Sequence, residues 1–114
     1  MGIRIAGTGY RLGATEITNA WIAQRCGLTE DEIVEKTGIS RRWYLGAEQT
    51  LVDLASEAVL DALGGHADPV DFVGCATFAH EVVYPSLASR IAARLKVDAP
   101  QLFDLQSNCT GFLN

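Results

Sequence analysis

Residues 70–105, VDFVGCATFAHEVVYPSLASRIAARLKVDAPQLFDL, hold an apolar run, a helical pattern and a second apolar run, in that order. Val70 to Phe78 (VDFVGCATF) follows the turn signal Asp68-Pro69 and has the length of a strand. Its mostly apolar character predicts a strand buried on both faces. Pro85-Ser86 opens a helix in which Leu87, Ala88, Ile91, Ala92 and Leu95 face one way and Arg90 and Arg94 another. Pro100 then stops the chain before Gln101 to Leu105 (QLFDL), which reads as the next strand. Strand, helix, strand in this order predicts a right-handed crossover between parallel neighbours, the unit of an α/β fold.

Upstream, Thr50 at N-cap and Asp53 at N3 start a helix whose stripe is Leu51, Leu54, Ala55, Ala58, Val59, Ala62 and Leu63, stopped by Gly64-Gly65. The stretch from Ser40 to Gln49 carries Arg41, Arg42, Trp43 and Tyr44 without clear periodicity and reads as a surface loop or short extended segment. Thr29 with Glu32 forms a capping box for a short helix through Ile33 and Val34, ended by Gly38. Asn19 is read as the cap of another, through Trp21, Ile22 and Cys26 to Gly27. Ile3 to Tyr10 (IRIAGTGY) predicts a buried opening strand that breaks at Gly7 and Gly9. That glycine pair fails as a dinucleotide fingerprint, because Leu12 stands where the third glycine belongs and no helical pattern starts there. The expected architecture is a largely parallel sheet in one α/β domain over residues 1–114.

With 114 residues, 48% hydrophobic and 20% charged, the composition is that of one folded domain. A formal charge of −5 has the wrong sign for nucleic-acid binding. No apolar run approaches the roughly 18 residues of a membrane span, and the N-terminus lacks a signal-peptide pattern, which predicts a cytoplasmic chain with no membrane partner. Cys26, Cys75 and Cys109 are odd in number and widely spaced, fitting neither a disulfide framework nor a zinc site. Cys26 and Cys75 fall on apolar faces and are expected in the core. His66 and His80 lie in predicted loops as candidate general bases, and His80-Glu81 lacks the second histidine a metal motif needs, so no metal is expected.

Cys109 comes after QLFDL within Gln106-Ser-Asn-Cys-Thr-Gly-Phe112, where a buried strand is expected to turn into a helix. One reading is a small buried hydrophobe. The other is a nucleophile: free backbone N–H groups and the positive end of a helix favour a thiolate, and a strand-turn-helix elbow pairs a nucleophile with an oxyanion-binding N–H.

Ile5-Ala-Gly-Thr-Gly9, Glu35-Lys-Thr-Gly-Ile-Ser-Arg-Arg42, Tyr84-Pro-Ser86 and Asp104-Leu-Gln-Ser-Asn-Cys-Thr-Gly-Phe112 resemble, in order, the N-terminal third of the β-ketoacyl-acyl carrier protein synthase III family. The resemblance implies the N-terminal portion of a thiolase-like, αβαβα layered architecture. It implies that Cys109 is acylated by a thioester donor, an acyl carrier protein or acyl-CoA, and passes the acyl group to a decarboxylating malonyl-carrier acceptor without a cofactor. The backbone N–H of Cys109 would belong to the oxyanion hole, Thr37 would lie near the pantetheine entrance, and Tyr84 would reach across a homodimer interface with QLFDL near its two-fold axis. Lys36 stands where the family carries arginine, and Glu32 where coenzyme A users stack tryptophan on adenine. A carboxylate cannot stack and repels phosphates, which favours a carrier-protein donor, with Arg41 and Arg42 available to phosphate or to an acidic carrier.

The family's histidine and asparagine lie far downstream of its cysteine, and neither His66 nor His80 matches that histidine. The resemblance therefore implies a domain incomplete at the C-terminus, its remainder in another chain or beyond Asn114, and a sheet left unpaired and unstable by itself. Two other functions stay open: acyl transfer to a hydroxyl or amine or the joining of two acyl chains, and a non-catalytic partner subunit.

Overall fold

The computed structural model describes residues 2–66 and 68–113. Asn114, to which the expected break in the domain was tied, lies outside them. The chain divides into two compact units, residues 12–50 and residues 1–11 with 51–114.

In the first unit, β1 (Thr15–Thr18) pairs antiparallel with β2 (Arg41–Tyr44), setting Glu16 opposite Trp43 and Ile17 opposite Arg42. The extended reading of the basic-aromatic stretch is therefore the right one. Between the strands run α1 (Asn19–Cys26) and α2 (Glu30–Thr37), each ended by a glycine, Gly27 or Gly38, in the left-handed conformation that glycine adopts without a Cβ clash. The capping box of α2 forms as expected: Thr29 Oγ1 accepts from Glu32 N–H, and the Glu32 carboxylate accepts from Thr29 N–H at 2.8 Å. The cap of α1 is Thr18 rather than Asn19, its Oγ1 accepting from Trp21 N–H. Asn19 is spent on tertiary contacts instead: only 4% exposed, it donates to Ile39 O at 2.8 Å and accepts from Arg42 at 3.0 Å. Cys26 is exposed, not in the core, because α1 turns Ile22 and Ala23 rather than its last residue inward.

In the second unit, α3 (Leu51–Leu63), β3 (Phe72–Ala76), α4 (Leu87–Leu95) and β4 (Gln101–Leu105) come in that order. The strands β3 and β4 pair in parallel from Phe72 opposite Gln101 to Ala76 opposite Leu105, with α4 as the crossover. That is the α/β unit expected from residues 70–105. Ser86 caps α4 through Ser89 N–H, and Leu87, Ala88, Ile91 and Ala92 are buried as the periodicity requires. With Val52 of α3 they centre a core completed by Ala55, Val59, Cys75 and Leu95.

Three expectations are corrected by the fold. Ile3 to Tyr10 forms no strand: among the described residues nothing pairs with it, and Ile3 and Ile5 are exposed. It lies instead across α3, so closely that a Cβ on Gly7 would strike the carbonyl oxygen of Ala62 and one on Gly9 that of Ala58. The face that α3 buries is wider than the sequence stripe: Val52 and Ser56 are its most buried residues, and Leu51, Ala55 and Val59 of the stripe pack against the same core. The strands β3 and β4 are covered on one face only: α4 takes one side, while Phe72 and Phe103 stack at 6.1 Å, both exposed, on the other. With the separate antiparallel pair, the described residues hold two two-stranded sheets, of which β3-β4 is the parallel one. No described helix is long and apolar enough to cross a membrane.

Candidate active site

Strand β4 ends at Leu105, and a six-residue 3-10 helix, Asn108–Leu113, begins after Gln106 and Ser107. The turn is tight. Asn108 sits at φ 49°, a left-handed conformation that asparagine tolerates better than most residues. Ser107 O accepts from Thr110 N–H at 3.1 Å and from Thr110 Oγ1 at 2.7 Å. Gly111 is buried against the end of β3, where an added Cβ would come within 3.1 Å of Ala76 Cβ. Between these fixed points Cys109 is exposed among the described residues. The elbow is present, and Cys109 sits in the first turn of the 3-10 helix that ends the described residues.

Beside the elbow lies an open apolar hollow of about 660 Å³, lined by Phe72, Gly74, Phe103, Leu105 and Phe112. It suits an acyl chain better than a polar ligand. On the α4 side of the sheet, the Asp104 carboxylate accepts from the N–H groups of Leu87 and Ala88 at 2.6 and 2.9 Å, holding the start of α4. His80 Nε2 lies 3.2 Å from Asp104 Oδ2, and His80 Nδ1 lies 3.3 Å from Gln106 Nε2. The sequence points to His80 but not to this cluster, for which the available signal is Asp104, the one charge in strand QLFDL. Cys75, facing Asp104 across the pairing, is held protonated: burial first, and the carboxylate second, push its thiol up to about 11.

The other candidate residues divide between the units. Tyr84, in the same unit as Cys109, is 88% exposed, in a loop that also exposes Phe78, Val82 and Val83. Lys36, Thr37 and Arg41 belong to the unit of residues 12–50. Lys36 is exposed in the last turn of α2. Thr37 Oγ1 donates to Ile33 O at 2.6 Å and accepts from Ile39 N–H at 3.1 Å, so its hydroxyl shapes the end of α2. Arg41 is exposed, 3.7 Å from Glu16 and over the Trp43 ring at 5.3 Å, whereas Arg42 turns inward to Asn19. The Glu32 carboxyl is held below its ordinary range by the Thr29 backbone and hydroxyl, and its place in the capping box explains a carboxylate at that position.

No family model matches the chain. Over 113 residues, 96% of the chain, it is 36% identical to the beta-ketoacyl-[acyl-carrier-protein] synthase III of Methylococcus capsulatus. The chain matches the N-terminal third of a synthase III. It spans 35% of the length of that relative. Among solved structures, the 3-oxoacyl-[acyl-carrier-protein] synthase III of Aquifex aeolicus superposes with a TM-score of 0.88 at 29% identity, over 98% of this chain and 37% of its own. The priming β-ketosynthase of the R1128 polyketide pathway gives 0.85 at 28% identity, over 96% and 34%. The fold is thus α/β and thiolase-like, as in synthase III.

Proposed function

We propose that residues 1–114 form the N-terminal part of a thiolase-like condensing-enzyme domain in which Cys109 is the acyl-accepting nucleophile. The observation that carries this is an exposed thiol on a tight turn directly after a parallel strand, within a stretch similar to synthase III. The Cys109 thiol gives up its proton and attacks the carbonyl carbon of a thioester. The bond to Sγ forms, the donor's own C–S bond breaks, and the donor thiol leaves with a proton. A malonyl thioester then loses carbon dioxide, the freed electron pair forms the new C–C bond at the acyl carbonyl, and the Cys109 thiolate departs. The groups that assist this second step lie outside these residues, in the remainder of the domain.

Lys36, Thr37 and Arg41 are assigned to the donor entrance, where Glu32 disfavours adenine stacking and makes an acyl carrier protein the better donor than acyl-CoA. The exposed apolar loop ending at Tyr84 supports a homodimer, and the similarity to synthase III and to a polyketide priming ketosynthase supports a cytoplasmic biosynthetic role, in fatty acid or polyketide assembly. The test is acylation of the complete protein by acyl-carrier protein and by acyl-CoA, read by mass spectrometry of the Cys109 peptide. A modification lost in Cys109→Ala is expected, and an unmodified Cys109 with both donors sinks the proposal. Release of carbon dioxide from a malonyl acceptor separates condensation from acyl transfer to a hydroxyl or amine.

A further inference from the structure

A chain of hydrogen bonds that starts at α4 ends three residues before Cys109. Both oxygens of Asp104 are occupied as acceptors, Oδ2 by Leu87 N–H and Oδ1 by Ala88 N–H. The contact between Asp104 Oδ2 and His80 Nε2 therefore has its proton on the imidazole. A neutral imidazole protonated at Nε2 keeps a lone pair at Nδ1, and Gln106 Nε2, 3.3 Å away, donates to it. The side chains of His80 and Asp104 are only 12% and 11% exposed, so water competes weakly for the contact between them, while Gln106 reaches His80 from the exposed side of the turn. His80 comes from the segment between β3 and α4, Gln106 from the elbow itself.

We propose that His80 is a positioning residue for Cys109: held by Asp104 in the Nε2–H form, it clasps Gln106 and so fixes the turn that presents the thiol. The proposal rests on the reading of Cys109 as the nucleophile. The turn leaves little slack between clasp and thiol, since Asn108 is already left-handed and Ser107 O already holds Thr110. A displacement of Gln106 is passed to Cys109. Misplacement of a reacting atom by about 1 Å costs up to about a hundredfold in rate, and loosening one clasp is expected to cost about tenfold.

The test is a double-mutant cycle on the complete protein, reading both acylation of Cys109 and its alkylation by iodoacetamide. His80→Ala and Gln106→Ala are each expected to slow acylation about tenfold with the donor KM unchanged, and the double variant to lose no more than either alone. His80→Gln keeps a donor for Asp104 but has no acceptor where Nδ1 stands, so it is expected to be as slow as Gln106→Ala while melting like the unaltered protein. Gln106→Ala at full rate, additive losses, or full activity in His80→Gln would each overturn the proposal, the last by reducing His80 to a partner for the α4 cap. If the unaltered protein alkylates at Cys109 but accepts no acyl group, the functional reading fails, and the iodoacetamide rates still decide whether the clasp exists.

Discussion

Cys75 and Asp104 stand opposite each other in the parallel pairing of β3 and β4, and the carboxylate adds to the burial that pushes the Cys75 thiol up to about 11. Further along the path from β4 into its turn, Gly111 lets the 3-10 helix close on Ala76 while Cys109 stays in solvent. One unit thus holds two thiols in opposite conditions, one half-buried beside a negative charge and one exposed on an elbow.

Thiol chemistry should separate them. At pH 8, a thiol titrating at about 11 is ionised in about one molecule in a thousand, so Cys75 should resist iodoacetamide while Cys109 and Cys26 react. Peptide mass spectrometry over a pH series reads each site. Cys75 reacting as fast as Cys109 at pH 8 would refute the assignment.

The same shift links Cys75 to alkaline stability. The folded value is raised above the ordinary 9.0, so its contribution is fully present below pH 9 and is lost as pH rises toward about 11. Melting temperatures should fall across that window, and Cys75→Ala should flatten the fall. An identical alkaline slope in the variant would show that another group sets it.

Asp104 should matter to stability out of proportion to its place in a strand. Removing it orphans the N–H groups of Leu87 and Ala88 and takes a negative charge from the start of α4. Asp104→Ala should cost about 2 kcal/mol in urea unfolding and bring the Cys75 thiol down. A stability loss without any change at Cys75 would leave burial as the sole cause of its shift.

At the other end of the chain, Gly7→Ala and Gly9→Ala should each destabilise the protein by about 1–3 kcal/mol, because the added Cβ meets backbone carbonyls of α3 that cannot move aside. Circular dichroism melts would read this. Unchanged melting in both variants would mean that the segment does not lie across α3.

The capping box of α2 makes an acid-limb prediction. Thr29 holds the Glu32 carboxyl below its ordinary 4.5, so the pair's contribution is present above pH 4.5 and is lost as pH falls through the lowered folded value. Thr29→Ala should cost about 1 kcal/mol at neutral pH and remove part of the acid dependence. A variant that keeps the full acid slope would show that Glu32 is not its source.

From sequence alone, the elements built on local signals were legible: the Thr29–Glu32 box with its Gly38 stop, the Ser86 cap and apolar face of α4, and strands 72–76 and 101–105. Capping and periodicity act within a few residues, so the chain carries them wherever it lies. The Cys109 motif was legible in the same way, as residue types at short spacing.

Tertiary structure decided what depends on distant partners. Ile3 to Tyr10 has a strand's composition but no ladder to join among the described residues, and a strand exists only with a partner. Asn19 could cap α1, yet Ile39 and Arg42 claim its side chain. Leu87 and Ile91 drew Val52 into the core beside the expected stripe of α3, and Cys26 was left in solvent by the packing of α1. The link from Asp104 through His80 to Gln106 spans 24 and 26 positions, beyond any local pattern. The sequence by itself determined the helices, the parallel pair of strands and the turn that carries Cys109; only the fold decided which polar groups meet, because hydrogen-bond partners are set by proximity in space rather than along the chain.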